Sequence, residues 1–350
     1  MSRRQQITGV LTALTSLAAG AARRATAWDP PPQEAITPVG DGPPAPRGHP
    51  LRVLVWNIQF CGSRKHHFFY DGGRAVHVPA EDVAATLDGV GRVIRRADCD
   101  LVLLQEVDRG SDRTGRVDQH AALLAASGLP CHASAPYHRS AWVPHPAHHH
   151  LGRVEVHLST FSRFRLVSAT RRQLALMDEP WWRATFNLKR AVLDARVALD
   201  DGRAFAAQNT HLSAFSRGDG TLDRQVEALF ERCLTLEDAR VPWLLAGDMN
   251  ALPPGDDPRR LGPTGAAEHP EAISPIAPLF QRFHSAISEE SHRADPARWR
   301  TWVPWGGATP ERAIDHAFVG GGVEVEEVEV LPETAWSDHL PIRLTIRLPA

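Results

Sequence analysis

Eight residues, Asn57, Glu106, His211, Asp248, Asn250, Asp315, Asp338 and His339, are acids, amides or histidines that end or closely follow apolar, strand-like runs. Glu106 with the amide oxygen of Asn57 offers a sparse oxygen shell. Such a shell suits a hard divalent cation, Mg²⁺ or Mn²⁺, and leaves positions for water and a phosphate oxygen. A histidine beside a carboxylate manages protons. Hydrolysis of a phosphodiester needs an aligned water, neutralised charge on the phosphoryl oxygens and help for the leaving oxygen, and this set contains those parts.

The elements that must position these groups are legible around Val241 to Asn250, VPWLLAGDMN. Its apolar run is long enough for a buried strand, and Gly247 lets the backbone turn and deliver Asp248 and Asn250 at the strand's end. Upstream, Leu51 to Asn57 reads as a strand, Glu81 to Ala97 as a helix with Val83, Leu87, Val90 and Ile94 on one face, and Leu101 to Glu106 as a returning strand. Strand, helix, strand is an α/β opening. Val154 to Thr160, Ala191 to Leu199 and Ala204 to His211 read as further strands, the last two joined by an Asp201-Gly202 hairpin turn. Leu222, Val226, Leu229 and Cys233 mark a second amphipathic helix, and Ala313 to Val319, Val323 to Leu331 and Pro341 to Leu348 complete the strands. In VEVEEVEVL the apolar parity shifts between Glu326 and Glu327, the mark of a bulge.

Three segments read differently. Met1 to Ala27 has the form of an export signal: Arg3 and Arg4, a mildly apolar stretch, then Ala25-Thr26-Ala27 as a cleavage site. Its arginine pair resembles a twin-arginine signal for folded cargo, which places the mature protein outside the cytoplasm without a membrane anchor. Trp28 to Pro50, crowded with Pro and Gly, reads as a linker, so the folded domain is expected over residues 51–350. Pro130 to Gly152, carrying Pro136, Pro144, Pro146 and His148-His149-His150, reads as loop; adjacent histidines rarely converge on one ion, so a zinc hydrolase built there is disfavoured.

The balance of 39 basic against 41 acidic residues gives no overall cationic field, which counts against a dedicated nonspecific nucleic-acid binder. With 43% apolar residues the chain can build a large core. Four cysteines lie far apart with no C-x-x-C pair and read as core residues, with disulfides open to an exported chain.

WNI at Trp56–Ile58, LLQEVD at Leu103–Asp108, NTHL at Asn209–Leu212, GDMN at Gly247–Asn250, ID at Ile314–Asp315 and SDH at Ser337–His339 resemble, in order and spacing, the motifs of the endonuclease/exonuclease/phosphatase superfamily. The resemblance runs from about Leu51 to Leu348. It implies an α/β fold, a four-layer sandwich of two mixed β-sheets flanked by helices, with the site at one rim. It also implies that Glu106 and Asn57 hold the metal with support from Asp338, that His211 and Asn250 bind the scissile phosphate, and that Asp315 fixes and charges His339. Asp248 would orient or deprotonate the attacking water, with the choice of Asp248 or His339 as base left open. SRF at Ser162–Phe164 and KRAVLDARV from Lys189 resemble segments beside that site, making Arg190 a candidate phosphate contact. Every expected polar position holds a competent residue, which favours an enzyme over a binding protein that has lost catalysis.

HHFFYDGGR, His66 to Arg74, departs from that pattern by separating the first motif from its helix. Tryptophans at Trp181-Trp182, Trp299, Trp302 and Trp305 suit a lipid headgroup boundary or an apolar part of a small substrate. Balanced charge and aromatic rims together point to a small or lipid-linked phosphoester before nucleic acid.

Overall fold

The computed structural model describes residues 28–214, 218–270 and 273–349, so the export signal expected over Met1–Ala27 lies outside the described residues. Among the described residues, thirteen strands form two mixed sheets. One contains β2 (Pro50–Asn57), β3 (Leu101–Asp108), β4 (Cys131–Val143), β5 (Gly152–Ser162), β12 (Glu324–Val330) and β13 (Ile342–Arg347), in the order β12-β13-β2-β3-β5-β4. The other contains β1 (Gln33–Ile36), β6 (Leu166–Gln173), β7 (Ala191–Ala198), β8 (Ala204–His211), β9 (Trp243–Asp248), β10 (His284–Ser285) and β11 (Asp315–Gly320), in the order β1-β6-β7-β8-β9-β11-β10. The long helices are α1 (Ala80–Ala97), α2 (Gln119–Ser127) and α3 (Thr221–Asp238). Among the described residues no helix is long and apolar enough to cross a membrane.

The layers follow from side-chain alternation along the strands. Leu51, Val53 and Val55 face inward and pack with Leu193, Phe205, Leu244 and Ala246 of the opposite sheet. Leu54 and Trp56 face outward onto Val90, Val93 and Ile94 of α1. On the far side Trp243 and Leu245 meet Leu222, Val226 and Leu229 of α3. Helix, sheet, sheet and helix are therefore four layers, as the sequence leads one to expect. The parity break in the late strand is also present, as a register shift between Val325 and Glu327.

Two segments differ from the sequence reading. Within Trp28 to Pro50, Gln33–Ile36 is an edge strand paired with β6, Val39 bridges His132, and Ala45 is fully buried. Pro30, Pro31 and Pro32 precede the paired residues and the other prolines follow them, so the donors of Gln33–Ile36 suffice for a short edge. Pro130 to Gly152 is mostly the long strand β4. Pro136 is tolerated because β4 lies at the sheet edge and the register slips between Pro136 and His138. His148 and His149 are exposed, and all four cysteines are buried free thiols.

Several histidines are buried neutral within this core, which ties stability to pH. Burial lowers His120 and His292 to about 3 and depresses His157 and His316. The unfolded chain protonates such groups near pH 6.5 while the folded chain resists, so stability is complete above that value and falls as pH drops toward 4. Each resisting histidine costs up to about 1.4 kcal/mol per pH unit in that window. The melting temperature should therefore decline steadily between pH 6.5 and 4, and His120→Gln should flatten the decline. A flat wild-type curve would show that these imidazoles titrate freely in the folded chain.

Candidate active site

Strand register alone assembles much of the site. Parallel β8 and β9 set His211 beside Asp248, and antiparallel β11 sets Asp315 on the other side of Asp248. Three neighbouring strands thus place His211, Asp248 and Asp315 in one row. The close approach depends on Gly247, whose φ is 148° and where a Cβ would lie 1.9 Å from the Thr210 carbonyl oxygen. In the facing sheet, parallel β2 and β3 bring Asn57 beside Gln105. The next residue, Glu106, sits in a register shift between Leu104 and Val107 with φ 57°. That bulge re-aims its carboxylate into the cavity described below.

Asp248 is the hub. Its Oδ2 accepts from Asn57 Nδ2 at 2.9 Å and lies 3.2 Å from His211 Nε2 and 3.6 Å from His339 Nε2, while Oδ1 accepts the Asn250 amide at 3.0 Å. Burial holds its carboxyl well above the usual range, opposed by His339. His211 is pulled well below its ordinary value, first by burial and then by Arg190 and His339, so it is neutral. Tyr137, whose phenol burial pushes up, donates to His211 Nδ1 at 3.3 Å, which leaves the Nε2 proton for Asp248. His339 behaves oppositely: burial pulls its pKa down, but Asp315 and Asp248 outweigh it and hold the imidazole well above its ordinary value. His339 Nδ1 donates to Asp315 Oδ2 at 2.8 Å, and Thr301 donates to the same oxygen at 2.6 Å.

Asp315→Asn should therefore lower the His339 pKa and move the limb of the pH–rate profile that reports it to lower pH. An unmoved limb in the folded variant would break the pairing.

The remaining candidates lie around this hub. Asp338 is pushed up to about 6 by burial and, in part, by the neighbouring Glu106, against the pull of His339. Asn250, at φ 49°, ties to the Leu212 carbonyl through Nδ2 at 3.0 Å. Arg190 is 5% exposed, sits 5.3 Å over the Tyr137 ring, and its Nε and Nη1 have no hydrogen-bond partner among the described residues. Asn57 is turned differently from the sequence expectation. Its Nδ2 faces Asp248 and, at 3.4 Å, Glu106, while its Oδ1 accepts the Gln59 amide at 3.0 Å. The amide oxygen expected to ligate a metal is thus engaged by the backbone.

Two groups of atoms could hold a divalent cation. Asp248, Asp315 and His339 offer atoms within 4.8 Å of one another, yet there Asp315 Oδ2 is already occupied by His339 and Thr301. Glu106 and Asp338 are hard oxygen donors on the same cavity, and their mutual repulsion is what a cation between them would relieve. The donor set at Glu106 and Asp338 fits the group better.

Sequence reading missed the supports. Trp56 Nε1 donates to the His339 carbonyl at 2.8 Å and Ser337 Oγ to the Asn57 carbonyl at 2.7 Å, which locks the first motif to the last. Asn209 joins the sheets, donating to the Leu104 and Ser159 carbonyls at 3.0 Å and accepting from Gln105 at 2.7 Å. Tyr137 was hidden in a segment read as loop, and nothing local marks Thr301 as the partner of Asp315.

Glu106, Arg190, His211, Asp248, Asn250, Asp338 and His339 line one cavity of about 730 Å³, together with apolar and aromatic side chains such as Phe69, Val143, Leu151 and Phe186 and further charged groups such as Asp71 and Arg183. The two mixed sheets thus carry a carboxylate- and histidine-rich rim. The profile of the Endonuclease/Exonuclease/phosphatase family matches residues 54–339, and the chain belongs to that family. Solved structures share the fold. An endonuclease/exonuclease/phosphatase from Beutenbergia cavernae DSM 12333 is 24% identical with a TM-score of 0.59, over 86% of this chain and 72% of that one. The human Nocturnin catalytic domain with bound sulfate anion is 18% identical with a TM-score of 0.55, over 89% and 96%. TDP2 from Caenorhabditis elegans is 13% identical with a TM-score of 0.53, over 86% and 75%. No curated protein matches by sequence. The family is hydrolytic in general, and membership supports a metal-dependent phosphoesterase.

Proposed function

We propose that the protein hydrolyses a phosphodiester of a small or lipid-linked kind, using Mg²⁺ or Mn²⁺. The observation that carries this reading is Arg190, a buried cation with two donors unpartnered among the described residues, lining the cavity onto which Glu106, Asp248, His211 and His339 also open. Unpaired buried guanidinium donors call for an anion such as a phosphoryl group. Held by Glu106 and Asp338, the cation would supply charge against the phosphoryl oxygens.

The chain's own residues do the rest. Arg190 and the imidazolium of His339 bind phosphoryl oxygens. Asp248 orients the attacking water and takes its proton as the new P–O bond forms and the bond to the leaving oxygen breaks on the opposite side. Asp248 suits this role better than His339, because His339 lies between two carboxylates that favour its protonated state. Asn57 fixes the Asp248 carboxylate by donating to it, and neutral His211 packs beside it with Nε2 3.2 Å from Oδ2.

Purified protein with Mg²⁺ or Mn²⁺ should turn over small phosphodiesters at rates little changed between 50 and 200 mM salt. A duplex nuclease neutralising many phosphates loses on the order of a thousandfold in affinity over that range. Plasmid cleavage that collapses at the higher salt, with no turnover of small or lipid diesters, would overturn the substrate reading.

A further inference from the structure

The segment His66 to Arg74 is anchored from several sides. Arg64, just before it, donates to the Thr334 carbonyl at 2.9 Å and to Pro304 and Gly307 at 3.2 and 3.0 Å. His67 stacks on Trp305 with ring centroids 4.0 Å apart and planes within 6°. Phe68 is buried against Phe60 at 5.0 Å. The loop folds back on itself at Gly73, where a Cβ would lie 2.1 Å from the His67 carbonyl oxygen, so no larger residue fits without movement.

A second loop, residues 144–151, leans on the first. His148 bonds the Arg74 carbonyl at 3.2 Å and His77 bonds the His150 carbonyl at 3.0 Å. The Phe69 ring meets the His145 ring edge to face at 5.4 Å. Phe69 and Tyr70 from the first loop, Val143, His145 and Leu151 at the second, and Phe186 beyond them line the same cavity as Arg190 and Asp248. Apart from Asp71 and His145, the side chains these loops present to the cavity are more apolar than phosphate chemistry requires, and their anchors hold them in place before any ligand arrives.

We infer that the two loops form a recognition wall for a bulky apolar substituent of the phosphoester, and that Phe69 determines specificity. The inference rests on the phosphoesterase reading for its phosphate end alone. An aromatic ring and an alkyl chain share the chemistry this wall recognises.

Binding of methyl, phenyl and octyl phosphate to the Mg²⁺-loaded protein, measured by calorimetry, tests it independently of turnover. The wild type should hold phenyl or octyl phosphate more tightly than methyl phosphate by on the order of ten to a hundredfold. Phe69→Ala should erase most of that advantage, and Phe186→Ala elsewhere in the cavity lining should reduce it should the first variant misfold. Phe69→Leu separates the sources: retained octyl but weakened phenyl binding assigns the wall to an aromatic group, and equal retention of both assigns it to apolar bulk alone. Equal affinity for the three esters, or an undiminished advantage in folded Phe69→Ala, overturns the inference. Preference intact with no diester hydrolysed overturns the phosphoesterase reading and leaves the wall standing.

Discussion

Replacing Glu106 by Gln is expected to lower turnover by on the order of a thousandfold while the chain stays folded. The substitution keeps size and shape, and an amide oxygen can still accept from Asn57 Nδ2, now 3.4 Å from Glu106 Oε1. What disappears is charge. Glu106 is a hard oxygen donor on the cavity beside Asp338, and without it the upward push it exerts on Asp338 is also lost. The variant should need more Mg²⁺ or Mn²⁺ for half its maximal rate and keep a melting temperature close to the parent's. Near-normal turnover with unchanged metal demand would remove Glu106 from the site.

Asp248→Asn should be at least as damaging, with a rate loss of roughly a thousandfold or more. Asp248 Oδ2 and Oδ1 take hydrogen bonds from Asn57 and from the Asn250 amide, with His211 Nε2 at 3.2 Å. An asparagine has one accepting oxygen. Either orientation sets its NH₂ against another donor, so the row across β8, β9 and β11 loses alignment as well as its proton acceptor. Losing this carboxylate also removes one of the acids that charge His339, so the pH profile should shift together with the rate. A folded Asp248→Asn variant with a rate within tenfold of the parent would exclude Asp248 as the base.

Most of this site could be read before the fold was known, because its residues terminate apolar runs: TH after AFAAQN, GD after WLLA, N after LRVLVW. Strand ends converge at one rim, so end positions are informative. The supports were not legible because they depend on contacts distant in sequence. Thr301 reaches Asp315 across the chain, Asn209 bridges the sheets, and the left-handed backbone at Glu106 arises from a mismatch between β3 and β5 that neither strand shows alone. Composition misled twice in the same way. Proline marked Trp28–Pro50 as linker and Pro130–Gly152 as loop, where sheet edges accommodate it. The orientation of the Asn57 amide was beyond sequence as well, being set by the Gln59 amide and the Asp248 carboxylate together.

The edge strand β1 has a bearing on how the sheet is kept from pairing with another chain. β6 is polar in part but carries Val167 at 53% exposure, and without β1 its outer row of backbone donors and acceptors would be open to another chain. β1 closes that row with only four residues, and Pro30, Pro31 and Pro32 directly before it have no N–H to offer a further strand. A chain trimmed to begin at residue 54, where the family match starts, would lose this guard together with the first half of β2. Such a chain should self-associate edge to edge under conditions where the protein from Trp28 onward stays dispersed, a difference light scattering would register.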